Sequence, residues 1–139
     1  MDEPNTEGGC LCGAIRYRVK SLPIALSLCH CNSCRRAAGA PSVAWVVLHS
    51  NALEFVTGTP QLFRSSPGVV RGFCGQCGTS LTYQRELEPD TIDITTASLD
   101  RADDFAPTRE TWTGEKLAWE ALNGAAPTFA GSSRSRPAQ

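Results

Sequence analysis

Seven cysteines in closely spaced sets constrain this 139-residue chain more than any other feature of its sequence. An odd number of cysteines cannot all be paired in disulfides. Residues 1–8 carry acidic side chains and neither the basic region nor the apolar stretch of a secretory signal, so we expect a reducing, cytoplasmic location in which disulfides are rare. Metal binding is therefore the first chemistry that the sequence predicts.

The first set joins a CxC pair near the N-terminus to a CxxC pair much later in the chain, comprising Cys10, Cys12, Cys74 and Cys77. Alternate side chains of an extended segment share a face, so the CxC pair can point at one ion. Gly75 and Gly78 permit the positive φ angles of a tight turn around the CxxC pair. Four thiolates close a tetrahedral zinc shell, which is typical of a structural site. The alternatives are two disulfides or a redox-active CxxC pair.

The second set, Cys29, Cys31 and Cys34, has three cysteines. Three protein ligands leave one position on a tetrahedral zinc ion for water or substrate, as in catalytic sites. A second structural zinc completed by His49 is the competing interpretation. His30 points away from the face that Cys29 and Cys31 share, which favours a surface or hydrogen-bonded histidine over a ligand, with acid–base work as an alternative.

The helix predicted over residues 31–38 bears on the charge of this second set. Cys31 and Cys34 lie at its start, where the positive end of the helix dipole favours thiolate. Arg35 and Arg36 follow directly. Two adjacent arginines on a helix usually lie on its solvent-exposed face. A zinc ion with three thiolates, however, carries a net charge of about −1, so an anionic substrate would need such a cation nearby.

Periodicity predicts a mainly β, mostly antiparallel domain. A second and weaker helix is predicted over residues 115–122. Residues 1–7 and 131–139 are expected to be disordered, which leaves one zinc-binding domain over residues 8–130. Alternating or β-branched runs bounded by glycine, proline and Ser-Asn turns predict seven strands, over residues 13–20, 25–29, 42–48, 53–57, 69–73, 79–83 and 91–96.

Composition and charge exclude several classes of function. The hydrophobic fraction of 41% and charged fraction of 19% indicate a globular chain. With 13 basic and 14 acidic residues the net charge is −1, so no general attraction to nucleic acid is expected. No apolar run reaches the ~20 residues that a membrane-spanning helix requires, so we expect no membrane segment.

Three motifs in this order resemble the glutathione-dependent formaldehyde-activating enzyme family, which also includes centromere protein V. They are GCLCG with Arg16 and Tyr17 after it, CHCNSCRRAAGA over residues 29–40, and FCGQCGT over residues 73–79. The resemblance extends over roughly residues 8–129. It implies a β-tent fold similar to that of methionine sulfoxide reductase B, with antiparallel sheets held together by zinc.

The resemblance also implies two zinc ions per chain, one of them structural and one catalytic. The structural ion is expected on Cys10, Cys12, Cys74 and Cys77, and the catalytic ion on Cys29, Cys31 and Cys34. The implied activity is that of a carbon-sulfur lyase acting on a thiol–aldehyde adduct such as S-hydroxymethylglutathione, with a small thiol, glutathione, as partner. A non-catalytic, zinc-stabilised binding module is the alternative.

Chemistry at a three-thiolate site is compatible with that activity. Three thiolates donate much electron density to zinc, so a bound water is less acidified than in an all-histidine site, and hydrolysis is not the favoured reaction. Zinc does favour a thiolate as fourth ligand, which would hold a substrate sulfur deprotonated beside an aldehyde carbon.

The C-terminal segment that contains Trp112 and Trp119 also resembles the family, with one departure. Many relatives have a histidine two residues before the first tryptophan, and this chain has Glu110 there, so that histidine's role cannot be transferred. For the two tryptophans, core packing is favoured over direct contact with substrate.

Overall fold

A computed structural model describes residues 6–122, 124 and 126–134. Ten short strands, one α-helix and four 3-10 turns make up this part of the chain. The strands are β1 (Thr6–Gly9), β2 (Arg16–Val19), β3 (Ala25–Cys29), β4 (Val43–His49), β5 (Leu53–Thr57), β6 (Gln61–Ser66), β7 (Val69–Phe73), β8 (Ser80–Arg85), β9 (Thr91–Thr95) and β10 (Arg109–Thr111); the helix is α1 (Asn32–Ala38); the 3-10 turns are Ser50–Ala52, Thr96–Ser98, Ala102–Phe105 and Thr113–Glu115.

The strands form two sheets. The smaller sheet has three antiparallel strands in the order β1-β2-β5, and the larger has seven in the order β10-β3-β4-β9-β8-β7-β6. Every pairing is antiparallel except that of β10 with β3. The fold is therefore mainly β and mostly antiparallel, as predicted.

Strand β4 shows why both faces of the large sheet are occupied. Successive side chains alternate between faces, and Val46 and Leu48 are buried against the small sheet. Val43 and Trp45 point to the opposite face, where they pack beside cysteines of the second set. An apolar residue at nearly every position of this strand thus serves two different environments.

The hydrophobic core fills the space between the two sheets. Tyr17 and Val19 of the small sheet pack there against Leu81 and Ile94 of the large one. The Tyr17 hydroxyl shares a hydrogen bond of 2.6 Å with the Ser98 hydroxyl, so its polar atom is satisfied inside the core. The other face of the large sheet is left to a cavity, described below.

All seven predicted strands are present, and β3, β5 and β7 have the predicted bounds. Sequence analysis missed β1, β6 and β10. Every residue of β6 is exposed, so this edge strand has no buried face to give it an apolar alternation. β1 contains two glycines and β10 has three residues, which is too short for a periodic signal.

Three other predictions need correction. Residues 115–122 contain the end of a 3-10 turn and further turns in place of the predicted helix. Thr6 and Glu7 belong to β1, so the disorder expected for residues 1–7 does not hold for these two. It does not hold for residues 131–134 either, because the Gly131 carbonyl accepts a hydrogen bond from the Trp112 amide and Arg134 pairs with Glu88. Residues 1–5 and 135–139 lie outside the described part of the chain.

Among the described residues, no helix is both long enough and apolar enough to cross a bilayer.

Candidate metal centres

The first cysteine set comes together where the loop after β1 meets the turn between β7 and β8. The ligand sulfurs of Cys10, Cys12, Cys74 and Cys77 all lie within 4.8 Å of one another. The Sγ atoms of Cys10 and Cys12 are 3.6 Å apart, and those of Cys12 and Cys74 are 3.8 Å apart. Thiolates about 2.3 Å from a tetrahedral zinc ion are separated by ~3.8 Å. The four thiols therefore fit such an ion without rearrangement.

Backbone amides surround this four-thiol cluster. The amide of Ile15 donates to Cys10 Sγ at 3.3 Å, and the amides of Gln76 and Cys77 donate to Cys74 Sγ at 3.4 and 3.5 Å. N–H groups aimed at sulfur favour the thiolate form that binds metal. The left-handed conformation that we predicted for both turn glycines occurs at Gly78, with φ of +80°, and not at Gly75.

Thr79 adds a further hydrogen bond to the four-thiol cluster. The distance between its Oγ1 atom and Cys77 Sγ is 3.2 Å, and this contact lowers the pKa of Cys77 to about 5. Cys74 is 1% exposed and belongs to the hydrophobic core, whereas Cys12 is exposed. The cluster thus ties an exposed loop to the core, which is the arrangement of a structural site.

The second cysteine set lies at the junction of β3 and α1, and its three Sγ atoms also lie within 4.8 Å of one another. Cys29 ends β3, Cys31 is the N-cap of α1, and Cys34 is in the first turn of α1. The Cys34 amide donates to Cys31 Sγ at 3.2 Å. Hydrogen bonds with Cys29 and Cys34 hold the pKa of Cys31 well below its usual value. Hydrogen bonds with Cys31 and Cys34, together with burial, raise the pKa of Cys29.

Arg71 is the cation of this three-thiol cluster, and sequence analysis did not find it. It is 8% exposed, and its two terminal nitrogens donate to Cys34 Sγ at 3.7 and 3.6 Å. Its guanidinium also lies 5.0 Å from the ring centroid of Tyr83. The available signal was one arginine in the middle of an otherwise apolar strand immediately before the CxxC pair.

The arginines that we had considered for this role, Arg35 and Arg36, bind elsewhere. Arg35 Nε donates to the His30 carbonyl at 3.3 Å, and Arg36 Nε donates to Asn32 Oδ1 at 3.2 Å. Both therefore stabilise the start of α1, and among the described residues neither guanidinium group donates to the thiols.

The three-thiol cluster lines a cavity of about 910 Å³ on the face of the large sheet opposite the core. Trp45 and Tyr83 line the same cavity, with ring centroids 5.9 Å apart. None of the four cysteines of the first set lines it. A small molecule can therefore reach the three-thiol cluster from this cavity.

His49 lies far from the three-thiol cluster. It is at the end of β4 opposite Thr91, whereas Cys29 lies opposite Val43 at the start of the same strand. Six residues of extended chain separate these two positions, a distance of roughly 20 Å. The structure thus excludes His49 as a ligand shared with the three-thiol cluster.

The two cysteine clusters agree with the result of comparing the sequence with known protein families. The sequence model of the family described as glutathione-dependent formaldehyde-activating enzyme matches residues 5–115. The chain belongs to this family. The resemblance identified from the three cysteine motifs is thereby confirmed.

Two curated relatives and one solved structure show how far the similarity extends. An "Uncharacterized lyase" of Schizosaccharomyces pombe is 32% identical over 80 residues, which is 58% of this chain and 58% of that protein. A "Putative glutathione-dependent formaldehyde-activating enzyme" of Halomonas elongata is 33% identical over 84 residues, 54% of this chain and 53% of that protein. The chain thus spans about half the length of these relatives. A crystal structure from Rhodobacter sphaeroides has the same fold, with a TM-score of 0.62 at 24% identity, covering 76% of this chain and 99% of that one.

Glu110, the position at which this family member departs from many of its relatives, does not face the cavity. It is 1% exposed, and its Oε1 atom lies 3.0 Å from His30 Nε2. Its neighbours in β10, Arg109 and Thr111, line the cavity. His30 is fully buried, with Nδ1 3.3 Å from Glu120 Oε2. His30 is therefore held between two carboxylates, so it is hydrogen-bonded, as one of our alternatives had it, but not at the surface.

The two C-terminal tryptophans do not pack in the core, which corrects our expectation. Trp112 is 38% exposed and Trp119 is 72% exposed. Trp112 lines the cavity and has a φ of +57°, a conformation that is strained for a bulky residue. Such strain persists where the surroundings enforce it, often at functional sites.

Two further charged residues of the cavity were not found by sequence analysis. Arg109 of β10 is partly buried and donates from Nε to Ser27 Oγ at 2.7 Å. Asp93 of β9 is also partly buried, and burial raises its pKa to about 7, with the charge of Arg109 opposing the shift. Each is a single charged residue in a strand of alternating polarity. A strand with one solvent-exposed face has the same sequence pattern.

Replacing Asp93 by asparagine is expected to stabilise the protein, and increasingly so at higher pH. The folded state holds the Asp93 proton up to about pH 7, whereas the carboxyl of the unfolded chain loses it near its ordinary pKa of 3.8. The stability that protonated Asp93 gives the wild type is fully present below the pKa of the unfolded chain. It is lost as the pH rises through the pKa of the folded state. The free energy of unfolding of Asp93→Asn should exceed that of the wild type by roughly 1–4 kcal/mol at pH 8 and by less at pH 5.

Urea denaturation at the two pH values measures this difference. Asp90→Asn, which neutralises an exposed carboxylate on the same cavity wall, is the matched control and should show no such trend. A stability difference between Asp93→Asn and wild type that is equal at pH 5 and pH 8 would contradict the raised pKa.

Proposed function

We propose that this protein is a zinc-dependent enzyme of the carbon-sulfur lyase type. Its substrate would be a thiol–aldehyde adduct such as S-hydroxymethylglutathione, formed from glutathione and formaldehyde. The observation that carries this proposal is the difference between the two cysteine clusters. Four thiols form a closed cluster at the core, and three thiols form an open cluster that lines a cavity of about 910 Å³. The family and the names of the relatives support the same activity.

Two zinc ions per chain follow from this proposal. Cys10, Cys12, Cys74 and Cys77 would hold the structural ion, and their sulfur spacing suits tetrahedral zinc. Cys29, Cys31 and Cys34 would hold the catalytic ion, with the cavity at its fourth position. Zinc at such a site keeps a substrate thiol in the thiolate form beside an aldehyde carbon.

Residues of the cavity would supply the other requirements of the reaction. In the forward direction a bond forms between the thiol sulfur and the carbonyl carbon, and the proton lost by the thiol ends on the former carbonyl oxygen. Arg71 offsets the negative charge of the thiols through its contacts with Cys34. Trp45 and Tyr83 give this cavity an aromatic wall against which the substrate would pack.

The remaining expectations of the resemblance are part of this proposal. The fold would be the β-tent of methionine sulfoxide reductase B, and the protein would act in the cytoplasm, where free thiols persist. Its partner would be a small thiol, with neither nucleic acid nor membrane involved. Blocked access to the three-thiol cluster, or its completion by His49, would favour the binding-module alternative. The cavity and the position of His49 argue against both.

The first test of the proposal is metal content. Because the clusters are separate in space and each satisfies the donor requirements of zinc, purified protein should contain two zinc ions per chain. Inductively coupled plasma mass spectrometry measures this ratio. The ion at the three-thiol cluster should be lost first during dialysis against a chelator, since three protein ligands hold zinc less tightly than four. A reproducible ratio of one zinc ion would contradict a metal at the three-thiol cluster.

Substitution of one ligand in each cluster separates their roles. Cys77→Ser should leave the protein unfolded or insoluble, because metal binding at the four-thiol cluster is folding free energy, ~10–16 kcal/mol in zinc-finger peptides. Cys31→Ser should remove one zinc ion and the activity with little change in melting temperature, because its cluster joins residues that are close in sequence. Thermal melts and zinc analysis of both variants measure this. Equal destabilisation by the two substitutions would mean that both ions are structural.

The activity itself is tested with glutathione and formaldehyde. The wild type should accelerate equilibration with S-hydroxymethylglutathione above the uncatalysed rate, as measured by NMR exchange spectroscopy. Cys31→Ser should return the rate to background. Ser33→Ala is the matched control, since Ser33 is exposed on the same cavity wall between two of the cysteines. Wild-type protein with two zinc ions and no rate acceleration would favour the binding-module interpretation.

A further inference from the structure

Most charged side chains around the cavity are already paired. Glu88 accepts hydrogen bonds from both Arg85 and Arg134 at the cavity rim. Arg71 is bound to Cys34, and a carboxylate oxygen of Glu115 accepts the amide of Asn32 at 2.9 Å. These groups are satisfied within the protein and have little remaining capacity for a ligand.

Asp93 and Arg109 differ from these paired residues. The Asp93 carboxylate makes no ion pair or hydrogen bond within the described residues, although it is partly buried and lines the cavity. Arg109 uses Nε on Ser27 and leaves its two terminal nitrogens without a described partner. A buried or half-buried charge without a partner is costly, so its retention needs an explanation. A ligand that supplies the opposite charges would provide one.

The sheet register places these two charges on opposite sides of the cavity. Arg109 lies in β10 beside Ser27 of β3, and Asp93 lies in β9 opposite Val47 of β4. Strands β10 and β9 are three positions apart in the sheet, or about 14 Å between backbones. Asp93 is also displaced by two residues along β9 from the position level with Arg109, and the two side chains, which line the same cavity, do not form an ion pair. The space between them suits one small group that carries both charges.

The same register sets the distance to the three-thiol cluster. Cys29 lies two residues along β3 from Ser27, the partner of Arg109, a separation of about 7 Å. Asp93 lies opposite Val47, four residues along β4 from the partner of Cys29 and two strands away. Its backbone is therefore roughly 16 Å from that of Cys29. After allowance for the side chains, a ligand that reaches both must be on the order of 10 Å long.

We infer that Asp93 and Arg109 together bind the α-amino-acid end of an extended thiol substrate, with Asp93 receiving its ammonium group and Arg109 its carboxylate. This inference rests on the proposed function and names its specificity determinants. Ligands of this class carry the zwitterion several bonds away from the sulfur, as a γ-glutamyl thiol does. Free cysteine, in which the amino group and the sulfur are separated by two carbons, is too short to reach both sites.

The electrostatics of Asp93 support this role. Burial raises its pKa to about 7 against the opposing charges of Arg109 and Arg134, and an ammonium group in direct contact with the carboxylate would favour the ionised form. Arg109 is already oriented by Ser27, so little side-chain entropy is lost when its free nitrogens bind a carboxylate.

The test is calorimetric titration of zinc-loaded protein at pH 8 with three thiols. Glutathione carries both charges, N-acetylglutathione lacks the ammonium group, and 2-mercaptoethanol lacks both. Asp93→Asn should weaken the binding of glutathione by about 10–100-fold and leave that of N-acetylglutathione within about twofold, because a hydrogen bond to a charged group contributes ~1.5–3 kcal/mol. Arg109→Gln should weaken the binding of both glutathione and N-acetylglutathione. Neither substitution should change the affinity for 2-mercaptoethanol, and Asp90→Asn should change none of the affinities.

The outcomes separate this inference from the proposed function. Thermal melts show that each variant is folded before titration. If the wild type binds glutathione and N-acetylglutathione equally, or if Asp93→Asn acts no differently from Asp90→Asn, the charge assignment is wrong and the thiol site still stands. If wild-type protein with two zinc ions binds none of the three thiols, the proposed function is overturned, and this inference with it.

Discussion

The seven-stranded sheet has to bury one face and leave the other accessible, and the rest of the structure depends on that difference. Alternation along β4 and β9 sends Val46 and Ile94 to the core beneath the small sheet, and an irregularity in the pairing of β7 with β8 lets Leu81 join them. The opposite face carries the side chains of the cavity, from Trp45 through Tyr83 to Arg71. A shift of one residue in strand register would exchange the two sets and would destroy the core and the cavity together.

The two cysteine clusters occupy different places relative to this sheet. The four-thiol cluster joins the loop after β1 to the turn after β7, which connects the small sheet to the large one and closes a long segment of chain. The three cysteines of the second cluster lie within residues 29–34, so a metal bound to them would add no link between distant segments beyond the contact of Arg71 with Cys34. Loss of a long-range link costs stability in a domain of this size, whereas loss of a local one chiefly affects the cavity.

Charge inside the cavity is arranged in two zones. Near the thiols, the buried Arg71 guanidinium offsets sulfur charge and packs on Tyr83. Farther along the sheet, Asp93 and Arg109 present opposite charges that the protein does not pair with each other. The first zone suits the reacting sulfur, and the second suits a charged group at a distance from it. One cavity would therefore combine the proposed chemistry at the metal with selection among thiols.

The sequence by itself determined the two sets of clustered cysteines and most of the strands, because CxC and CxxC spacing and apolar alternation are local properties of the backbone. It did not reveal β6 or β10, which lack a periodic signal, and residues 115–122 looked helical although they form turns. Only the tertiary structure decided that Arg71, Asp93 and Arg109 meet at one cavity, and that His49 is remote from Cys29. Strand order and register bring these side chains together, and a single charged residue in a strand gives no sign of which residues will face it across the sheet.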